Sequence, residues 1–161
     1  MARKTNAALV PLIVADVFQL AGAFRSRGEA VAKRVGQTQA RWQVLSAASA
    51  GPQTVPEIAR RLGVSRQAVQ RLADALVDDG SATFALNAEH RGSPHLVLTL
   101  QGRAALAQLS ALAAGFHTDL AAQFRTGTLP ALYEGLKTLI EAVDRLDQAQ
   151  MASWSASSQQ R

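Results

Sequence analysis

Cysteine is absent from the 161 residues, which removes disulfides, thiolate metal sites and thiol-based redox sensing in one step. No glycine-rich phosphate loop occurs. The histidines at 90, 95 and 117 stand without a nucleophile or a recognisable set of metal partners. A metal held by His90 and His95 would have only the adjacent Glu89 to complete it, fewer ligands than such sites need. No enzyme, metal site or cofactor is therefore expected. Acidic residues are the minority, 12 against 17 Lys and Arg, and the net charge of +5 is carried mostly by arginine. That surplus suits an anionic partner without naming one. There is no internal repeat.

Long uninterrupted apolar runs are also missing. Arg3 and Lys4 precede an apolar stretch over residues 7–20 that imitates a secretory signal, but Asp16 and Gln19 break it. It is shorter than the roughly 20 residues that cross a bilayer. Its pattern is helical instead: Leu9, Ile13, Val17, Leu20 and Phe24 form one stripe, and Val10, Val14 and Phe18 a second beside it. A cytoplasmic protein that opens on a helix in need of a partner is the expectation. Near the other end, Leu129, Leu132, Leu136, Leu139, Val143 and Leu146 recur in steps of three and four, the seam of a helix packed along another helix. The final stretch, 148–161, is rich in Ser and Gln with little periodicity and is expected to be a flexible tail. With 48% hydrophobic residues, the length suits one compact domain with a core of its own.

Between the ends, helices are expected near residues 38–49, 54–62, 65–79 and 101–124. Residues 82–86 and 95–99 follow a strand pattern and are joined by a turn containing Gly92, Ser93 and Pro94. The chain is thus mostly α with a small β-hairpin. Residues 56–72 carry the most information. Thr54 and Glu57 have capping-box spacing. Ile58 and Leu62 share a face, and Ala59 is small where two helices would cross. Gly63 can end a helix in the left-handed conformation, and Val64 is expected to plug the turn. Ser65 is a good N-cap for the next helix, which Val69, Leu72 and Leu76 would pin to the core.

The free face of that second helix carries Arg66, Gln67, Gln70 and Arg71, side chains that pair with base edges or with phosphates. A helix pair at a tight turn, followed by a hairpin, is a winged helix-turn-helix, with the helix over 65–79 placed in the major groove. Ser65, Arg66, Gln67, Gln70 and Arg71 are the expected DNA contacts. Arg91 at the hairpin turn is a further contact, to a minor groove. An architectural DNA-binding or protein-interaction module without sequence-specific readout is the alternative; it would lack base readers such as Gln67 and Gln70.

This order of elements resembles the MarR family of bacterial transcription regulators. The likeness is carried by Thr38-Gln39-Ala40-Arg41-Trp42-Gln43-Val44-Leu45 before the helix-turn-helix and by Leu98-Thr99-Leu100-Gln101-Gly102 after the wing. It runs from about Leu9 to Leu146. It implies a homodimer whose N- and C-terminal helices, residues 1–36 and 125–147, interlock in a dimerisation lobe through Leu9, Ile13, Val17, Leu132, Leu136, Leu139 and Val143. Residues 37–124 would form the DNA-binding region and the long connecting helix. It further implies a ligand-responsive repressor on a pseudo-palindromic operator. The effector would be small, aromatic or anionic, in a cleft between lobes that Trp42 and His117 would line. The family's Asp-Arg-Arg at the wing tip is here His90-Arg91-Gly92, so one of the two arginines is missing.

Overall fold

Thr5 accepts a hydrogen bond from the Ala8 N–H at 3.3 Å and so caps the first helix, α1, at Asn6–Lys33. The computed structural model describes residues 5–158, and side chains within residues 5–151. After α1 come α2 (Gln39–Ser49), β1 (Gln53–Thr54), α3 (Val55–Leu62), α4 (Arg66–Asp78), β2 (Ala82–Ala85), β3 (His95–Leu98), α5 (Leu100–Ala121) and α6 (Thr128–Ser158). The chain divides into two compact units, Met1–Ala114 and Gly115–Arg161, with the boundary inside α5.

The first unit holds the core. Ala32 at the end of α1, Val44 and Leu45 on α2, Ile58 on α3, Val69 and Leu76 on α4, Leu96 on β3 and Leu109 on α5 are fully buried in one apolar cluster. Their burial follows from spacing: each helix places its apolar residues three and four apart, and β3 alternates Leu96 and Leu98 inward with His95 and Val97 half-buried. The sheet is antiparallel in the order β1-β3-β2, with Phe84 opposite Leu96 and Thr54 opposite His95. The expected hairpin is present. The strand β1 adds to it and, at two residues, is too short to leave a periodic signal.

Two features differ from expectation at the ends. The helix α1 is longer than the apolar run that suggested it, and its length and composition suffice to cross a membrane, with a mean hydropathy of 1.9 over its most apolar window. The C-terminal stretch expected to be a flexible tail is helical as far as Ser158; residues 159–161 lie outside the described residues. No Gly or Pro follows Gly135. Once a helix is nucleated, each added residue gains a hydrogen bond without a new nucleation cost, so a Ser- and Gln-rich end continues it.

Candidate nucleic-acid interface

The start of α3 is fixed by a reciprocal cap. The Thr54 N–H and hydroxyl donate to Glu57 Oε2 at 2.7 and 2.8 Å, and the Glu57 N–H returns to Thr54 Oγ1 at 3.4 Å. Hydrogen bonds from the backbone and then the hydroxyl of Thr54 hold the Glu57 carboxyl below the ordinary glutamate value, with smaller help from His95 and Arg60. The helix ends at Gly63, whose φ of 64° is left-handed. Its N–H donates to the Arg60 carbonyl at 3.2 Å, and that of Val64 to the Ala59 carbonyl at 3.1 Å, a backward-bonded stop that spares the last carbonyls. Ser65 then caps α4, accepting from the Ala68 N–H at 3.2 Å.

The crossing of α3 and α4 closes over Ala59, 2% exposed, and Ile58. Val64, expected to plug the turn, is 46% exposed instead. The small Ala59 already lets the helices meet, so no side chain is needed to fill a gap at the turn. Val69, Ala73 and Leu76 are buried at steps of four and three along α4, with Leu72 half-buried beside them. The opposite face is exposed and is segregated along the axis: Arg66, Gln67, Gln70 and Arg71 in the N-terminal half, Asp74 and Asp78 in the C-terminal half. Only the first half is suited to an anionic partner. Gln70 Nε2 donates to Asp74 Oδ1 at 2.7 Å, which occupies one of its two amide N–H groups. Arg60 and Arg61, exposed on α3, were not singled out from the sequence. None of Arg60, Arg61, Arg66, Arg71 and Arg91 forms an ion pair among the described residues.

The wing stands beside this face. A groove of about 530 Å³ separates them, lined by Val55, Pro56 and Phe84, by Arg66, Gln67 and Gln70 of α4, and by Gly92, Ser93 and Pro94 of the wing. Arg91 and His90 are exposed at the tip and His95 is half-buried in β3; no cluster of three metal-ligating side chains occurs among the described residues.

Three long-range contacts hold the wing and α4 in place, and spacing alone does not reveal them. Arg41 on α2 pairs with Asp79, which caps the end of α4. Burial raises the Asp79 carboxyl, but hydrogen bonds from Ser81 and then Arg41 outweigh it, and the group is held below its ordinary value. Thr99 donates its hydroxyl to the Gly80 carbonyl at 2.6 Å and accepts the Gly102 N–H at 3.2 Å. Gln101 donates to the Asp79 carbonyl at 2.8 Å. Gly102 is buried where a Cβ would lie 1.9 Å from the Ser81 carbonyl oxygen, so the segment from Leu98 to Gly102 requires a glycine at its end for α5 to approach.

A helix-turn-helix with a wing, an unpaired arginine face and this Thr-to-Gly lock places the chain among known proteins. The sequence model of the MarR family matches residues 36–91. An uncharacterised protein of Mycobacterium tuberculosis, Rv2011c, is 48% identical over 131 residues, covering 81% of this chain and 92% of that one. The chain belongs to the MarR family. Two solved MarR-like folds illustrate it. The transcriptional regulator BldR from Sulfolobus solfataricus superposes with a TM-score of 0.75 at 15% identity, over 86% of this chain and 99% of that one. The transcriptional regulator MosR of M. tuberculosis, solved in complex with DNA, superposes with a TM-score of 0.65 at 22% identity, over 83% and 96%. The MarR-family architecture accounts for the mostly helical chain and its winged helix-turn-helix. Its remaining expected residues fall as follows. Trp42 is half-buried against the core of the first unit, whereas His117 is exposed and belongs to the second. On α1, Leu9, Ile13 and Val17 are exposed; on α6, Leu132, Leu136 and Val143 are exposed and Leu139 is half-buried.

Proposed function

We propose that this MarR-family chain is a dimeric, sequence-specific DNA-binding transcription regulator, and that α4 enters the major groove while the wing follows the neighbouring minor groove. One observation carries the reading. The N-terminal half of a helix rigidly pinned by Val69, Ala73 and Leu76 presents Arg66, Gln67 and Arg71 exposed and without ion pairs, across an open groove from the wing. Arginine and glutamine at that end are the donors that recognise guanine and adenine edges, and Ser65 with the first-turn amides suits a phosphate. Arg60 and Arg61 extend the positive surface along the backbone.

Dimerisation is supported by the apolar faces of α1 and α6, which stay exposed in a single chain. A second copy would bury both and set two recognition helices about one helical turn of DNA apart, over a pseudo-palindrome. The length of α1 also fits a bilayer. Asp16 argues against that use, since a carboxylate at the centre of a membrane helix costs about 2.5–3.5 kcal/mol, whereas at the edge of a dimer face it keeps its water. Repression would follow from covering a promoter in the cytoplasm, with release by a small aromatic or anionic effector.

Binding of the full-length protein to its own promoter region and to unrelated DNA of equal length, across a salt series, tests the reading. Preference for the promoter with two protomers per site is expected; equal, salt-steep binding to both would mark an architectural protein. Arg66→Ala or Arg71→Ala should weaken binding by about 1–3 kcal/mol per half-site. Unchanged affinity in both would overturn the assignment of α4.

A further inference from the structure

We infer that Asn87 is the positioning residue of the wing, tying the backbone on both sides of the tip so that Arg91 is held ready for DNA; this rests on the DNA-binding reading above. Asn87 follows β2 and is only 6% exposed, in a segment whose neighbours Leu86 and Ala88 are exposed. A buried polar side chain is nearly always hydrogen-bonded, and both the oxygen and the nitrogen of the Asn87 amide are. Its Oδ1 accepts the N–H of Glu89 at 3.0 Å and of His90 at 3.2 Å, and its Nδ2 donates to the Ser93 carbonyl at 3.0 Å. The Ser93 N–H donates in turn to the His90 carbonyl at 2.9 Å. Residues on either side of Arg91 and Gly92 are therefore anchored to one amide, while Arg91 itself points to no partner among the described residues.

The chemistry singles out an amide. It accepts twice on one atom and donates from the other, which a carboxylate cannot do and a hydroxyl is too short to do. Without it the loop over residues 86–94 has its own backbone bond at the tip and little else. Arg91 would then be ordered only on binding, and that ordering would be subtracted from its contact. Arg91 is the single arginine at this tip, so its placement has no substitute.

The test uses the full-length protein and a duplex selected from a random-sequence pool for binding to the unaltered chain. Asn87→Ala and Arg91→Ala are each expected to weaken binding about tenfold and to lower the salt slope by about one ion per protomer. The double variant should bind no more weakly than Arg91→Ala alone, because Asn87 acts through Arg91. Amide exchange at Glu89 and His90 should accelerate in Asn87→Ala and stay slow in Asn87→Asp, which keeps the acceptor. Losses that add in the double variant, or an Asn87→Ala protein that binds as before, overturn the inference while Arg66→Ala still weakens binding. If Arg66→Ala has no effect, the DNA-binding reading falls and this inference with it.

Discussion

A methyl group at Gly102 would sit 1.9 Å from the Ser81 carbonyl oxygen, a backbone atom, so the chain itself would have to shift to admit it. Gly102→Ala is expected to destabilise the fold by about 1–3 kcal/mol or more, seen as a lower urea midpoint. At Glu57 the effect is electrostatic. Acceptance from Thr54 makes this carboxyl more acidic in the folded chain than its ordinary 4.5. The stabilisation is therefore fully present above the unfolded value and is lost as pH falls through the lowered folded one. Glu57→Ala should cost about 1 kcal/mol at neutral pH, and the difference from the unaltered chain should narrow below pH 4.5. A gap that stays constant into acid would show that the cap works without ionisation. Only the role of Glu57 is legible from the sequence, because its partner lies three positions away, whereas Ser81, in the connection between α4 and β2, lies 21 positions from Gly102.

Among the elements, α3 and α4 follow the sequence closely. Cap, stop and pins all act within a turn or two, and the observed spans, Val55–Leu62 and Arg66–Asp78, sit just inside the expected ones. Their crossing depends on the size of one side chain, so Ala59→Leu should separate the pair. A stability loss of about 1–3 kcal/mol is expected, with DNA affinity lost as well because α4 no longer holds its angle. Retained affinity would mean that the crossing tolerates a wider gap. The strand β1 was illegible for a physical reason: two residues have no period, and they become a strand only by pairing with Leu96 and His95. The helix α6 runs on through the Ser- and Gln-rich end to Ser158, since composition speaks to the ability to bury a core, whereas a helix already nucleated upstream needs only residues that do not break it.

At the scale of the whole molecule, α1 in the first unit and α6 in the second each carry a stripe of exposed large apolar side chains. On the dimer reading proposed above, a second copy covers these faces. Leu136→Glu or Ile13→Glu should convert the protein to a monomer in sedimentation and abolish tight binding to a two-fold site, since one half-site offers too little interface. A tight dimer that survives both changes would place the interface elsewhere. The net charge of +5 is modest, and its placement matters more than its size: the arginines of α3, α4 and the wing form no salt bridge among the described residues, while Arg41 is committed to Asp79.

By itself the sequence determined the helix-turn-helix, the exposed Arg and Gln face of its second helix, and the family. Capping, a left-handed glycine and three-and-four spacing are local rules that act before the chain has folded. Tertiary structure alone decided how that helix is held and aimed: the Arg41 to Asp79 pair, the Thr99 and Gly102 lock, the Asn87 anchor of the wing, and the Gln70 bond that turns one expected base reader toward Asp74. These depend on which backbone carbonyl or side chain arrives opposite a given group, and that is settled by sheet register and helix crossing rather than by any short-range preference.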